Sequence, residues 1–227
     1  MEIIPVIDLM NGVAVLAQQG QRQHYRPLST PLCRSSDPRA VLKALLNLQP
    51  FRTVYLADLD ALMGRGNQWA LIDSLKSRYP ELEFWVDAGI PAREEAWVPV
   101  VGTESLDAPS WERLTAMPGE WILSLDCLGD QLQGAHEIWE QVHLWPQRII
   151  VMNLQQVGSF DGPDWNRLAR TLRLAGERDV IAAGGIRNLD DLRRLDKMGI
   201  HTALVASALH SGSLRPAEIM AVGREQR

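Results

Sequence analysis

Cysteine is nearly absent from this chain. Only Cys33 and Cys127 occur in 227 residues. Two thiols so far apart form neither a disulfide framework nor a metal-ligand spacing, so free thiols in a cytoplasmic protein are expected. Long apolar runs are missing as well. No stretch approaches the roughly eighteen residues that cross a bilayer, and Met1-Glu2-Ile3-Ile4-Pro5 lacks the charged-then-apolar layout of a secretory leader. No membrane association is expected. There is no basic run either. Lys and Arg total 23 against 28 Asp and Glu, a net charge of −5 spread along the chain, which argues against a nucleic-acid partner. Phe and Tyr are scarce, three of each, whereas Trp occurs eight times. Most of the Trp, such as Trp69, Trp111, Trp139 and Trp165, sit in helix-length segments. They are expected to pack helices onto a core, a homo-oligomer contact being the alternative use.

What is present is an alternation. With 46% hydrophobic residues the chain can fill one substantial core. Short β-rich runs at 2–7, 52–58, 82–87, 97–101, 120–126, 148–153, 179–183 and 202–206 alternate with helix-length segments. Eight strands, each followed by a candidate helix, predict a single (β/α)8 barrel over residues 1–227. A doubly wound open sheet is the competitor, but the first turn, Asp8-Leu9-Met10-Asn11-Gly12, has no Gly-x-Gly-x-x-Gly. Asp37 reads as the N-cap of a helix opening at Pro38, and Asn188-Leu189-Asp190-Asp191 opens another with acids in its first turn. The one long connection, 17–37, is polar, carries Arg22, His24, Tyr25, Arg26 and Arg34, and reads as a lid.

Similar signals recur in the same order in both halves. Ile7-Asp8-Leu9 parallels Leu125-Asp126-Cys127, and Leu59-Asp60-Ala61-Leu62-Met63-Gly64 parallels Leu154-Gln155-Gln156-Val157-Gly158. Asp87-Ala88-Gly89-Ile90 parallels Ala183-Gly184-Gly185-Ile186, and Val101-Gly102-Thr103 parallels Val205-Ala206-Ser207. Four loose matches in one order suggest duplicated half-barrels, about 1–118 and 119–227. Barrel active sites lie at the C-terminal strand ends. Asp8 and Asp126 end opposed strands one and five, so one, ionised, can remove a proton while the other, kept protonated, donates one. For either aspartate alone the favoured reading is a loop cap or an ion-pair partner; it is the matched pair that favours the catalytic one.

Glycine and hydroxyl residues cluster after other strands. Gly89 follows strand three, Gly102-Thr103 strand four, Gly184-Gly185 strand seven and Ser207 strand eight. Glycine lets backbone amides approach an anion, and Thr103 and Ser207 add donors, so two phosphate pockets across one mouth are expected. The plainer use of these glycines is tight strand–helix turns. Asp58, Asp60, Asp87 and Asn153 read as site-lining or structural groups. Three carboxylates on adjacent strands also allow Mg²⁺, although no metal or organic cofactor is expected. Arg22, His24 and Arg26 in the 17–37 connection are candidates to meet an anionic substrate, the bland use being a solvated loop. Cys127 has no evident His partner to activate it as a nucleophile.

Ile4-Pro5-Val6-Ile7-Asp8-Leu9, Asp58-Leu59-Asp60, Ser124-Leu125-Asp126 and Ala183-Gly184-Gly185-Ile186 resemble the barrel isomerase of histidine biosynthesis, which acts on phosphoribosylformimino-aminoimidazole-carboxamide ribotide (ProFAR). The likeness to the cyclase subunit of imidazole glycerol phosphate synthase is weaker. The resemblance spans nearly the whole chain. It implies an Amadori-type aldose-to-ketose rearrangement of a phosphorylated small molecule, without metal or cofactor, in which Asp8 is the general base and Asp126 the general acid. It also implies one phosphate pocket at Gly89, Gly102 and Thr103 and another at Gly184, Gly185 and Ser207.

The chain departs from that pattern in several places. Val13-Ala14-Val15-Leu16 stands where the isomerase carries an Arg, and Asp87 precedes the glycine of the strand-three motif. Asn153 and Val157-Gly158-Ser159 replace the Thr and Asp-Gly-Thr of strand six. Ala206-Ser207-Ala208 ends strand eight, and Glu104 follows Thr103. The stretch Gly20–Pro27, with Ala57–Ala61, Val101–Glu104 and Gln156-Val157-Gly158, resembles an isomerase/cyclase-related group of methanogens and methylotrophs associated with one-carbon cofactor metabolism. That resemblance implies a substrate other than ProFAR. The ancestral reaction and a non-catalytic subunit that retains a phosphate pocket are the alternatives.

Overall fold

The computed structural model describes residues 1–91, 96–116, 119–134, 136–159 and 161–224. Eight parallel strands close on themselves: β1 (Glu2–Met10), β2 (Thr53–Asp58), β3 (Glu83–Asp87), β4 (Val98–Gly102), β5 (Ile122–Leu128), β6 (Arg148–Asn153), β7 (Asp179–Ala183) and β8 (Thr202–Val205). Closure runs through β1. Its first half pairs with β8, from Glu2↔Thr202 to Pro5↔Val205, and its second half with β2, from Val6↔Tyr55 to Leu9↔Asp58. That offset is the stagger a tilted, closed barrel requires. The expected (β/α)8 architecture is therefore the observed one, with strand limits within two or three residues of those read from the sequence.

Side chains alternate across each strand, so the barrel has two cores. Ile4, Tyr55, Trp85, Val100, Ile122, Ile150, Ile181 and Leu204 meet inside the cylinder. Ile3, Ile7, Leu56, Phe84, Leu123, Ile149 and Ala203 face outward and pack under the helices. Trp111 and Trp139 are buried in this outer layer, with Trp69 and Trp165 packed against its edge, the helix-packing role expected of them. The helix starts follow the caps read from the sequence. The Asp37 carboxylate accepts from the Arg39 N–H at the head of Pro38–Leu48, and the Asn188 side chain accepts from the Asp191 N–H at the head of Leu189–Lys197.

Two expectations need correction. Not every strand is followed by a helix: among the described residues none lies between β3 and β4, and after β5 only the single turn Glu137–Glu140 and a 3₁₀ turn, Val142–Leu144, intervene. The 17–37 connection is also partly ordered, with a 3₁₀ turn at Arg22–His24 and a short strand at Arg26–Pro27, while its Gly20, Arg22 and Tyr25 line the barrel mouth. β1 runs on to Met10, reverses at Asn11-Gly12 with φ of 52° and 78°, and returns as Val13–Leu16, which pairs in turn with Arg26–Pro27. Two successive positive φ values make the tight hairpin turn that Asn-Gly favours. β5 does the same: Cys127–Leu128 pairs antiparallel with Gln131–Leu132. Both strands that carry the opposed aspartates thus continue as hairpins above the barrel mouth. No helix is long and apolar enough to cross a membrane among the described residues.

A further correspondence lies at the ends of β2 and β6. Asp58 is fully buried, and its carboxylate accepts from the N–H groups of Ala61 (3.0 Å) and Gln68 (2.6 Å). Asn153, equally placed in the second half, accepts from the Gln155 N–H (3.1 Å) and donates to Asp164 (2.9 Å). Truncating Asp58 strands two amide donors. Asp58→Ala is expected to lower unfolding free energy by roughly 2–3 kcal/mol, read as a shifted urea midpoint at unchanged slope.

Candidate active site

The even-numbered parity of β1 and β5 decides what enters the barrel mouth. Ile4, Val6 and Asp8 point inward along β1, and Ile122, Ser124 and Asp126 along β5. Both aspartates line one cavity of about 220 Å³ at the C-terminal strand ends. Asp87, inward on β3, lines it as well, together with Tyr55 and with Glu104 from the β4 loop. The hairpin loop after β1 contributes Gly20, Arg22 and Tyr25, and the opposite rim carries Gly184, Gly185 and Ser207.

Each carboxylate has a distinct setting. Asp126 is buried. Its Oδ1 accepts the Ser124 hydroxyl at 2.7 Å, its Oδ2 accepts the Glu104 N–H at 3.4 Å, and its own N–H donates to Thr103 Oγ1 at 2.9 Å. Burial and then the nearby Asp87 charge push its carboxyl well above the usual range, against the pull of the Ser124 hydrogen bond. Asp8 is half-buried in the cavity wall. Burial raises it from 3.8 to about 7, with Arg22 opposing. Asp87 is also raised to about 7, first by burial and then by Glu104. The Tyr55 hydroxyl, donating to its Oδ2 at 3.1 Å, opposes the rise. Tyr55 itself is held far above its ordinary value by burial and by the three aspartates around it. Arg22 forms an ion pair with Glu104 that spans 82 positions of sequence and ties the hairpin loop to β4.

Not every residue expected at the site arrives there. Asp58 and Asn153 occupy the outward parity of their strands and serve as caps. Asp60 accepts from the Asn11 N–H at 2.7 Å and holds the β1 hairpin turn. Since Asp58 and Asp60 leave Asp87 alone, the three do not form a cation cluster. Among the described residues no three His, Cys, Asp or Glu side chains converge as metal ligands. Gly89, Gly102 and Thr103 do not line the cavity. Thr103 is fully buried with its hydroxyl engaged by the Asp126 N–H, and a Cβ on Gly102 would collide with Asp126 Oδ2. Glycine at 102 makes room for a carboxylate, so the loop-three and loop-four surface is acidic where a phosphate pocket was expected.

The opposite rim fits the sequence reading more closely. Gly184 and Gly185 have φ of 86° and 79°, and a Cβ on Gly184 would come within 2.8 Å of the Asn153 carbonyl. The same two residues line the cavity beside Ser207. His24 and Arg26 lie just outside, in a neighbouring groove with Thr30 and His210 that shares Ser207 with the main cavity. Cys127 is buried, its thiol donating to the Met152 carbonyl, and burial pushes it up to about 12, far from a reactive thiolate. Tyr55 and Ser124 escaped the sequence reading. Each sits two residues from an inward-facing position on its strand, and that period-two spacing was the available signal.

The buried acids couple stability to pH. Below about 4 the Asp87 carboxyl is protonated both folded and unfolded. Between about 4 and 7 the folded chain holds a proton that the unfolded chain has released, so stability falls as pH rises through that window. Asp87→Asn removes the loss. The variant is expected to be more stable than the parent at pH 8 by on the order of 2 kcal/mol and near parity at pH 4, by urea unfolding at both.

Comparison with known proteins adds to this geometry. An uncharacterized protein of Methanocaldococcus jannaschii is 30% identical over 235 positions, covering 97% of this chain and 98% of that one. A protein of Paenarthrobacter aurescens, named as the isomerase of 1-(5-phosphoribosyl)-5-((5-phosphoribosylamino)methylideneamino)imidazole-4-carboxamide, is 29% identical over 247 positions, 98% of this chain and 95% of its own. A Desulforudis audaxviator protein of the same name is 28% identical over 257 positions, 100% and 93% of the two chains. The family model described as histidine biosynthesis protein matches residues 2–215, and with nearly the full barrel inside that match the chain belongs to this family.

Proposed function

We propose that this protein is an isomerase of a phosphorylated sugar derivative that works by paired-carboxylate acid–base catalysis, on a substrate other than ProFAR. The observation that carries the reading is the shared cavity of Asp8 and Asp126, both raised by burial, with Arg22 opposing the rise at Asp8 and the Asp87 charge adding to it at Asp126. Asp126, held far above the usual carboxyl range, is the proton donor at neutral pH. Asp8, near 7, is ionised in a large fraction of molecules and accepts.

An Amadori-type step uses both. Asp126 protonates the ring oxygen of an N-linked aldose phosphate. The ring C–O bond breaks while the nitrogen lone pair closes a C=N bond at C1. Asp8 then removes the C2 proton to give an enaminol. Collapse to the ketone returns a proton from Asp8 to C1, and the C2 hydroxyl proton restores Asp126. C2 is oxidised as C1 is reduced within the one molecule, so the step needs no external oxidant or reductant. Gly184, Gly185 and Ser207 supply the phosphate contact at the cavity rim. Relatives named as isomerases support the reaction class. The carboxylates of Asp87 and Glu104 at the β3 and β4 ends support a different substrate, since the relatives' name specifies two phosphoribosyl groups.

Asp8→Asn and Asp126→Asn should each cut turnover by about 10³-fold while the unfolding midpoint stays level or rises. Near-full turnover of the true substrate by either variant would overturn the assignment. Expression in a histidine auxotroph lacking the ProFAR isomerase should not restore growth although the protein is soluble and folded. Restored growth would assign it the ancestral substrate.

A further inference from the structure

The acidic side of the cavity holds an unused acceptor. Asp87 is 7% exposed, and its Oδ2 takes the Tyr55 hydroxyl. Its Oδ1 is buried and makes no hydrogen bond of good distance and angle, although the Gly89 N–H helps to lower the proton affinity of this carboxyl. A buried carboxylate oxygen left unpaired is costly and rare, so such an atom at a cavity wall marks a place where a ligand donates. Its neighbours narrow the ligand's chemistry. Glu104 and Asp126 stand beside it, and Arg22, which lines the same cavity, is paired with Glu104. Ionised carboxylates only accept hydrogen bonds. A phosphate dianion here would meet the negative charge that already raises Asp87 and Asp126. Thr103, whose hydroxyl oxygen accepts the Asp126 N–H, is fully buried and does not line the cavity, and Gly102 accommodates the Asp126 carboxylate, so neither offers a phosphate a donor here.

We infer that the Asp87–Glu104 side of the cavity receives a nitrogen-borne hydrogen-bond donor, an amine or amidine group, of a substrate that carries its phosphate at the Gly184–Gly185 rim alone. The inference rests on the proposed function only for that rim phosphate. It makes the two sides of the mouth chemically opposite: an anion cradle of backbone and hydroxyl donors facing an acceptor wall of carboxylates. A substrate laid across them has one orientation, with the groups between its ends passing Asp8 and Asp126.

Three simple probes test this by calorimetry: hexyl phosphate, aminohexyl phosphate and hexanediol bisphosphate. The amine probe should bind about tenfold more tightly than hexyl phosphate, and the bisphosphate more weakly than either. In the double variant Asp87→Asn with Glu104→Gln, the advantage of the amine should shrink to within about twofold while hexyl phosphate binds as before. Glu104→Gln alone, at a half-buried position, gives an intermediate loss and guards against a fold defect in the double variant. Bisphosphate binding as tight as the amine probe in the parent protein would overturn the inference, as would an amine preference that survives in the double variant. No binding of any probe would remove the rim phosphate and the inference together. Failure of the Asp8 and Asp126 assignments, read by turnover, would leave the probe ranking unchanged.

Discussion

Alternation of side chains in a closed sheet is the constraint on which this molecule depends. Once β1 pairs with both β8 and β2, every second residue of every strand must enter the closed cylinder. Apolar residues fill it: Ile4, Ile122, Ile150, Ile181 and Leu204. The same parity, carried two residues at a time toward the C-terminal ends, delivers Asp8, Asp87 and Asp126 into one cavity above that plug. Their burial follows from strand register, and their raised pKa values follow from burial. A shift of one residue in any of these strands would send its carboxylate out among the helices and bring an apolar side chain in.

That constraint explains which parts of the site could be read from the sequence. Asp8 and Asp126 end apolar runs whose alternate residues are core formers, so direction as well as position was legible. Asp58 and Asn153 also end strands, but one step out of phase with the inward positions Tyr55-Ala57 and Ile150-Met152. Counting by twos from those positions places both side chains outside the barrel, where they cap the turns that follow. The 17–37 segment misled for a different reason. Its polar composition looks like a loop, whereas Asn11-Gly12 just before it carries the local signal of a tight hairpin. What stayed illegible depends on closure in three dimensions. The pairing of Arg22 with Glu104 joins an early hairpin to a mid-chain loop, and no local pattern announces it.

Gly102 shows how one residue type can carry opposite meanings. In sequence, Gly102-Thr103 matches Ala206-Ser207 in the other half and invites an anion reading. In the fold, the missing Cβ at 102 leaves space that the Asp126 carboxylate occupies, and the Thr103 hydroxyl fixes the backbone of that same aspartate. In the other half the small residues and hydroxyl stand at the cavity rim, where Ser207 lines the mouth. The two matching positions therefore differ in role. The hairpins after β1 and β5, and the caps at Asp58 and Asn153, are the parts of the correspondence that remained structural in both halves.

The crowding of carboxylates has a mechanistic consequence beyond the identity of any ligand. The Asp87 charge raises the affinity of Asp126 for its proton, and Glu104 raises both. A cation arriving beside Asp87 would offset that charge and lower the affinity of Asp126 for its proton. The donor assigned to the ring-opening step would then become a stronger acid when the substrate's nitrogen end is seated. Asp8, whose main electrostatic partner is Arg22 on the hairpin loop, lies outside that coupling and would keep its own poise. On the proposed reading, the acidic wall would join substrate recognition to proton donation, because the Asp87 charge that would receive the ligand also raises the Asp126 carboxyl.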